Sequence, residues 1–288
     1  MNPIINTFKL KLYIRDALLI YNHCLSMAIW GNPIIVYQMP KTGSASITAS
    51  LKKIGFHNVF HIHKLDPHDS YHFKYSKKIS GLLSHKINNS NKIFKVITCV
   101  RDPIARNVSD LFQILKIGQK FYSNGLTFPF EFPSSEKFFK QNMDLDEIHE
   151  LFIKYYPYHE LPLVWLDQHI YKNLGIDLFS YEFPKDKGYL KICQDNIELL
   201  VLKLEASDLI KEKQISQFVK QDKFKLIKTN VTSEDEYDYC RLYSKFKKNI
   251  CIPKNYIDKM YNSRFINHFY SEDEINAMKS YWLRKKIV

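Results

Sequence analysis

The sequence predicts an α/β fold, a parallel sheet flanked by helices. Three observations predict it. Short β-branched apolar runs recur along the chain. Amphipathic, helix-like stretches separate them. Gly, Pro, Ser or Asp stand at the junctions. Strands that alternate with helices indicate βαβ units and hence parallel pairing.

Each element has its own warrant. Pro33–Met39 reads PIIVYQM, a continuous apolar run suited to a strand buried on both faces. Ser44–Gly55 follows as a helix that starts on serine and stops at glycine. His57–Leu65 is a second strand, and Lys92–Val100 (KIFKVITCV) is the clearest strand of the chain. That strand ends at Arg101-Asp102-Pro103, where proline at a first helical turn opens a helix through Lys116. Asn196–Ile210 supplies another apolar strand that runs into a polar helix start.

Two regions break the rhythm. Residues 118–162 are aromatic and proline-rich at first, then helical, and read as an insertion. Residues 230–288 are rich in Tyr, Lys and Asn and read as a helical C-terminal region. No internal repeat or long low-complexity linker divides the chain. One elaborated domain over residues 1–288 is therefore expected, with an N-terminal helical segment over 1–31.

Composition bounds the function. The chain is 45% hydrophobic and 25% charged, which suits a folded globular protein rather than a disordered one. Lysine plus arginine (42) exceed aspartate plus glutamate (30), for a net charge of +12. That excess favours anionic partners. The five cysteines are scattered and form no C-x-x-C pair, which argues against a disulfide scaffold or zinc ribbon and fits a reducing compartment. Cys99, inside an apolar run, reads as a buried core thiol.

The N-terminus is apolar over Leu18–Trp30, but Asn22 and His23 interrupt it. It is too short and polar for a membrane span and lacks a signal-peptide cleavage pattern. The stretch FKLKLYIRDALLIY reads as a basic amphipathic helix. Such a helix either packs on the domain or lies on an anionic membrane surface. A cytoplasmic, membrane-peripheral location is the expectation.

The strand-end loops carry the chemistry. In open parallel sheets, ligands bind beyond the carboxyl ends of the strands. Pro40–Ser46 (PKTGSAS) offers backbone N–H groups at a helix start, a flexible glycine and a cation, the parts of an anion cradle. It is not a Walker A loop, because its lysine precedes its glycine. A solvated turn would use the same letters. At the later strand end, Arg101 and Ser109 present an arginine fork and a hydroxyl that suit a second phosphate. The alternative there is an Arg101–Asp102 ion pair and a solvent-facing serine.

PKTGSAS and RDPIARNVSDLF together resemble the two signatures of sulfotransferases that use 3′-phosphoadenosine 5′-phosphosulfate (PAPS). The C-terminal stretch YNSRFINHFYSEDEI further resembles a bacterial sulfotransferase-like family described as capsular polysaccharide synthesis proteins. The resemblance covers roughly Pro33 to Gln113 and Tyr261–Ile275. It implies a P-loop-like sheet, PAPS as sulfate donor, no metal, a carbohydrate or glycan acceptor and no nucleic-acid partner. Lys41 matches the lysine that stabilises the leaving oxygen. Thr42, Gly43, Ser44 and Ser46 match 5′-phosphosulfate positions, and Arg101 and Ser109 match the 3′-phosphate ligands. Ala45 departs from the pattern, since a hydroxyl residue is common there.

Transfer to a hydroxyl also needs a base. His61 and His63, at i and i+2 on the second strand, share a face and are the candidates, His63 first. His85, Asp66 or no histidine at all are the alternatives; a His-x-His pair also suits a metal or a plain strand edge. In the C-terminal stretch, Ser271 and Glu274 read as a capping box. His268, Phe269 and Tyr270 then read as a structural plug, with adenine stacking or phosphate contact from Arg264 or His268 as the functional alternative. The aromatic run Phe121–Phe139 suits a sugar ring or ordinary core. Two other classes stay open: a nucleotide-dependent kinase, for which Asp102 faintly mimics a Walker B aspartate, and a non-catalytic basic protein that binds glycans or membranes.

Overall fold

Five strands form one sheet in the order β2-β1-β3-β5-β4. The computed structural model describes residues 33–66, 74–123, 143–227 and 234–283, together with Ile14, Leu18, Tyr21 and Leu25. Most of the expected N-terminal helix, and residues 124–142 of the aromatic insertion, lie outside the described residues.

Strand β1 (Ile34–Tyr37) lies between β2 (Val59–Ile62) and β3 (Phe94–Val100), parallel to both, with Ile34 opposite Val59 and Lys95. Strand β5 (Ile197–Lys203) pairs parallel with β3, Phe94 opposite Ile197. Strand β4 (Tyr189–Gln194) runs antiparallel to β5 at the edge. The result is an α/β fold with a mostly parallel sheet. The sequence pattern does not announce β4. Only Ile192 among its side chains is buried, so the alternation that marks a half-buried strand is missing. The cue is the two-residue Asp195–Asn196 turn, where Asp195 takes φ +50°.

In chain order the helices are α1 (Ser44–Lys53), α2 (Lys74–Asn88), α3 (Pro103–Ser123), α4 (Leu145–Glu150), α5 (Leu161–Trp165), α6 (Lys172–Leu174), α7 (Asp208–Val219), α8 (Glu234–Asn249), α9 (Lys254–Tyr261), α10 (Arg264–Phe269) and α11 (Glu272–Leu283). Helix α4 runs on into a π-helical turn, Leu151–Tyr155, and a second π-helical stretch, Leu166–Tyr171, separates α5 from α6.

The chain packs as two compact units: residues 1–100 with 165–229, and residues 101–164 with 230–288. The first holds the sheet. Its core joins Ile34 and Val36 of β1, Ile47 and Leu51 of α1, Ile97 of β3, Leu200 and Leu202 of β5 and Phe218 of α7. These are the apolar residues that repeat at period two on the strands and at helical spacing on α1. The alternate residue of β1, Tyr37, meets Trp165 edge-on at 5.4 Å, and its hydroxyl accepts from Asn173 Nδ2 at 3.2 Å. Cys99 is buried in this core, as its apolar setting predicts, and burial pushes its thiol up to about 12. Among the described cysteines all four are free.

The second unit is helical among the described residues. Phe112 of α3, Phe152 of the first π-helical turn and Phe246 of α8 pack together, with Phe112 and Phe246 centroids 5.2 Å apart. Helix α11 begins with the capping box predicted from sequence: Ser271 N–H donates to Glu274 Oε2 at 2.9 Å, and Glu274 N–H donates to Ser271 Oγ at 3.3 Å.

Candidate anion-binding site

In the first unit the sheet changes direction of growth at β1: the chain adds β2 on one side and β3 on the other. Such a switch point opens a crevice at the strands' carboxyl ends. The β1 end leads through Met39, Pro40, Lys41, Thr42 and Gly43 into α1.

Two residues of this loop have left-handed backbones. Lys41 takes φ +71° and Gly43 takes φ +91°. For glycine this costs little, but for lysine it costs about 1–2 kcal/mol. Strain of this kind is held where the surrounding fold over-determines it, typically at ligand sites. At Gly43, glycine is favoured chiefly by its φ. Besides its φ, a Cβ there would stand 2.9 Å from Leu204 Cδ1. Gly43→Ala is accordingly expected to lower unfolding free energy by about 1–3 kcal/mol in urea denaturation; an unchanged transition midpoint would contradict this.

The helix N-terminus beyond the loop is bare of its own anion. Gly43, the N-cap, supplies no side-chain hydrogen bond, and the first turn of α1 contains no acidic residue. A 10-residue helix start of this kind carries the positive end of the helix dipole, a setting that suits an anion. Ser44 is buried, Ser46 half-buried and Ala45 exposed in that turn. Thr42 is fully buried and its hydroxyl donates to Met39 O at 2.6 Å. Its side chain thus braces the loop from within. Ser50, one turn on, donates to Ser46 O at 2.7 Å and accepts from Ile227 N–H at 2.8 Å, which fixes α1 against the residues after α7.

The structure brings His63 to the same strand end. Its Nδ1 lies 2.7 Å from the carbonyl oxygen of Gln38, three residues before Lys41. A carbonyl only accepts, so in this contact Nδ1 carries the proton. That is the tautomer a general base needs. His61 stacks edge-on against His63, centroids 4.6 Å apart at 87°. The rings of i and i+2 do share a face. Loss of water around the ring, then the charges of His63 and Lys52, hold the His61 pKa well below the ordinary value, at about 4. The residue itself is exposed. Of the alternatives, Asp66 is paired with Lys172 at 3.1 Å, and His85 is exposed on α2, capped by Asn89. No group of three or more metal-ligating side chains occurs among the described residues.

Sequence reasoning missed three residues at this end of the sheet. Gln38 is fully buried, and neither atom of its side-chain amide has a hydrogen-bond partner among the described residues. An unmet buried amide costs about 1–3 kcal/mol, so its hydrogen bonds are met by water or another group that reaches the strand end. Lys203, the last residue of β5, and Lys211 of α7 are also buried. Lys203 Nζ donates to Lys185 O at 2.9 Å, and Lys211 Nζ donates at 2.9 Å to the carbonyl of Leu204, the residue that faces Gly43. Neither lysine stands in a motif; Lys203 ends β5 itself, and α7 brings Lys211 back to the residue that follows it.

The second motif belongs to the second unit. Asp102 caps α3, accepting from Ile104 N–H at 2.9 Å and Ala105 N–H at 3.3 Å, and Pro103 is the first helical residue, as predicted. The same carboxylate accepts from Tyr261 Oη at 2.8 Å and Trp282 Nε1 at 3.3 Å. Burial first, then the Asp102 charge, raises the Tyr261 pKa far above its usual value. Arg101 and Ser109 are half-buried. The motif's other arginine, Arg106, is buried and structural. It pairs with Asp110 at 3.2 Å and donates to Tyr156 Oη at 2.9 Å, while Tyr156 donates to Asp110 at 2.7 Å.

The C-terminal aromatic stretch is a plug. Tyr261, Phe265, Ile266, Phe269 and Tyr270 are buried, His268 lies edge-on to Phe269 at 4.6 Å, and Arg264 is exposed.

A family model described as "Putative capsular polysaccharide synthesis protein" matches residues 136–271. Over that stretch the chain is similar to that family. The match begins after both anion motifs and ends at Ser271, so it includes most of the aromatic plug and neither loop. No curated protein and no solved structure matches the chain.

Proposed function

We propose that this protein is a PAPS-dependent sulfotransferase that moves a sulfuryl group to a hydroxyl of a carbohydrate, in the synthesis of a cell-surface or capsular polysaccharide. The observation that carries this reading is the backbone of Lys41, held left-handed between a strand end and an uncapped helix N-terminus. The loop's Lys-before-Gly order separates it from the Walker loop, and the family match supports the polysaccharide context.

In the proposed reaction the acceptor oxygen attacks sulfur, and the bond from sulfur to the bridging oxygen of the 5′-phosphate breaks. Negative charge grows on that oxygen, and Lys41 with the α1 N-terminus stabilises it. The acceptor proton passes to Nε2 of His63, held for that purpose by Gln38 O. Adenosine 3′,5′-bisphosphate (PAP) leaves. The resemblance assigns Arg101 and Ser109 to its 3′-phosphate.

The kinase reading is weakened by Asp102. Its carboxylate is engaged by the α3 N-terminus, Tyr261 and Trp282, which is the work of a helix cap rather than of a Mg²⁺ ligand. A panel of polysaccharides incubated with PAPS radiolabelled in the sulfate tests the proposal. Label transferred to a saccharide supports it. Label that stays on the nucleotide with every acceptor, alongside phosphate transfer from ATP, overturns it.

A further inference from the structure

Ile14, Leu18, Tyr21 and Leu25 are helical and exposed at 52%, 57%, 64% and 44%. Their spacing of four, three and four residues places them on one helix face, within an arc of about 60° at 3.6 residues per turn. Single exposed apolar side chains are ordinary, but a contiguous stripe of four marks an interaction surface. The sequence around the stripe is basic. Lys9, Lys11 and Arg15 stand within five residues of Ile14, and Asp16 is the only acid in residues 1–31. The whole chain carries +12. No helix among the described residues is long and apolar enough to cross a membrane.

We propose that this stripe docks on an anionic membrane surface. The apolar side chains enter the interfacial layer, and the neighbouring cations are drawn to lipid phosphates. Tyr21 fits the same boundary, since its ring is apolar and its hydroxyl is polar. Charge decides the choice of occupant: a second copy of this basic chain would bring like charges together, whereas an anionic bilayer complements them. The proposal is independent of the nucleotide chemistry.

The test is co-sedimentation of the full chain with phosphatidylcholine vesicles, with and without phosphatidylglycerol. Binding is expected with the anionic lipid, weakened by salt, and reduced about tenfold or more in a Leu18→Asp, Leu25→Asp double variant that melts like the wild type. Should that variant fail to fold, Lys9→Gln with Lys11→Gln replaces it and is expected to lose binding to the anionic vesicles. The proposal is overturned by equal binding to neutral vesicles, by variants that bind as well as the wild type, or by a wild-type dimer that the leucine variant dissolves.

Discussion

Lys41→Ala is expected to lower sulfate transfer by about two to three orders of magnitude, the range seen when one preorganised charge-stabilising group is removed. The reasoning is electrostatic. The lysine acts on charge that develops as the sulfur–oxygen bond breaks, so its loss falls on kcat more than on substrate binding. The backbone supplies a second, sharper expectation. Lys41 is strained at φ +71°, and glycine adopts that conformation without penalty. Lys41→Gly should therefore be at least as stable as the wild type in thermal melts while losing the same activity. A residue kept in a costly conformation for function behaves this way. Near-normal turnover in Lys41→Ala would remove it from the leaving-group role.

His63→Ala should lower kcat about a hundredfold or more, the low end of what a positioned base contributes, while PAP affinity stays unchanged. Its imidazole is oriented by Gln38 O. His61→Gln is the control. Desolvation and the neighbouring charges of His63 and Lys52 keep His61 neutral down to about pH 4. If His61 were the base, the acidic limb of the kcat/KM profile would fall near pH 4 and vanish with His61→Gln. With His63 as base, His61→Gln leaves the position of that limb to His63. Full activity in His63→Ala would move the base elsewhere.

Much of the sheet was legible because its strands are buried on both faces. IIVY and FKVITCV have no polar face to confuse with a helix, and Pro103 and Ser271 announce helix starts by local chemistry. Strand β4 was not legible, because an edge strand with one buried side chain carries almost no period-two signal. In the loop, letters alone named Lys41 and Gly43, but not their left-handed backbones. Thr42 matches a ligand position in sequence, yet its side chain faces inward to Met39 O. Gln38 and Lys203 stand at strand ends in the sequence itself, but their burial, and that of Lys211, is set by tertiary packing, which no spacing reports. Arg106 and Arg101 look alike in RDPIAR; burial separates the structural arginine from the half-exposed one.

The most direct test of the central claim is calorimetric titration of the full chain with PAP, beside ATP with Mg²⁺, for the wild type and Arg101→Ala. The account predicts micromolar binding of PAP by the wild type, little response to ATP, and loss of the PAP signal in Arg101→Ala with an unchanged melting temperature. Tighter binding of ATP than of PAP, or no binding of either nucleotide, would contradict it.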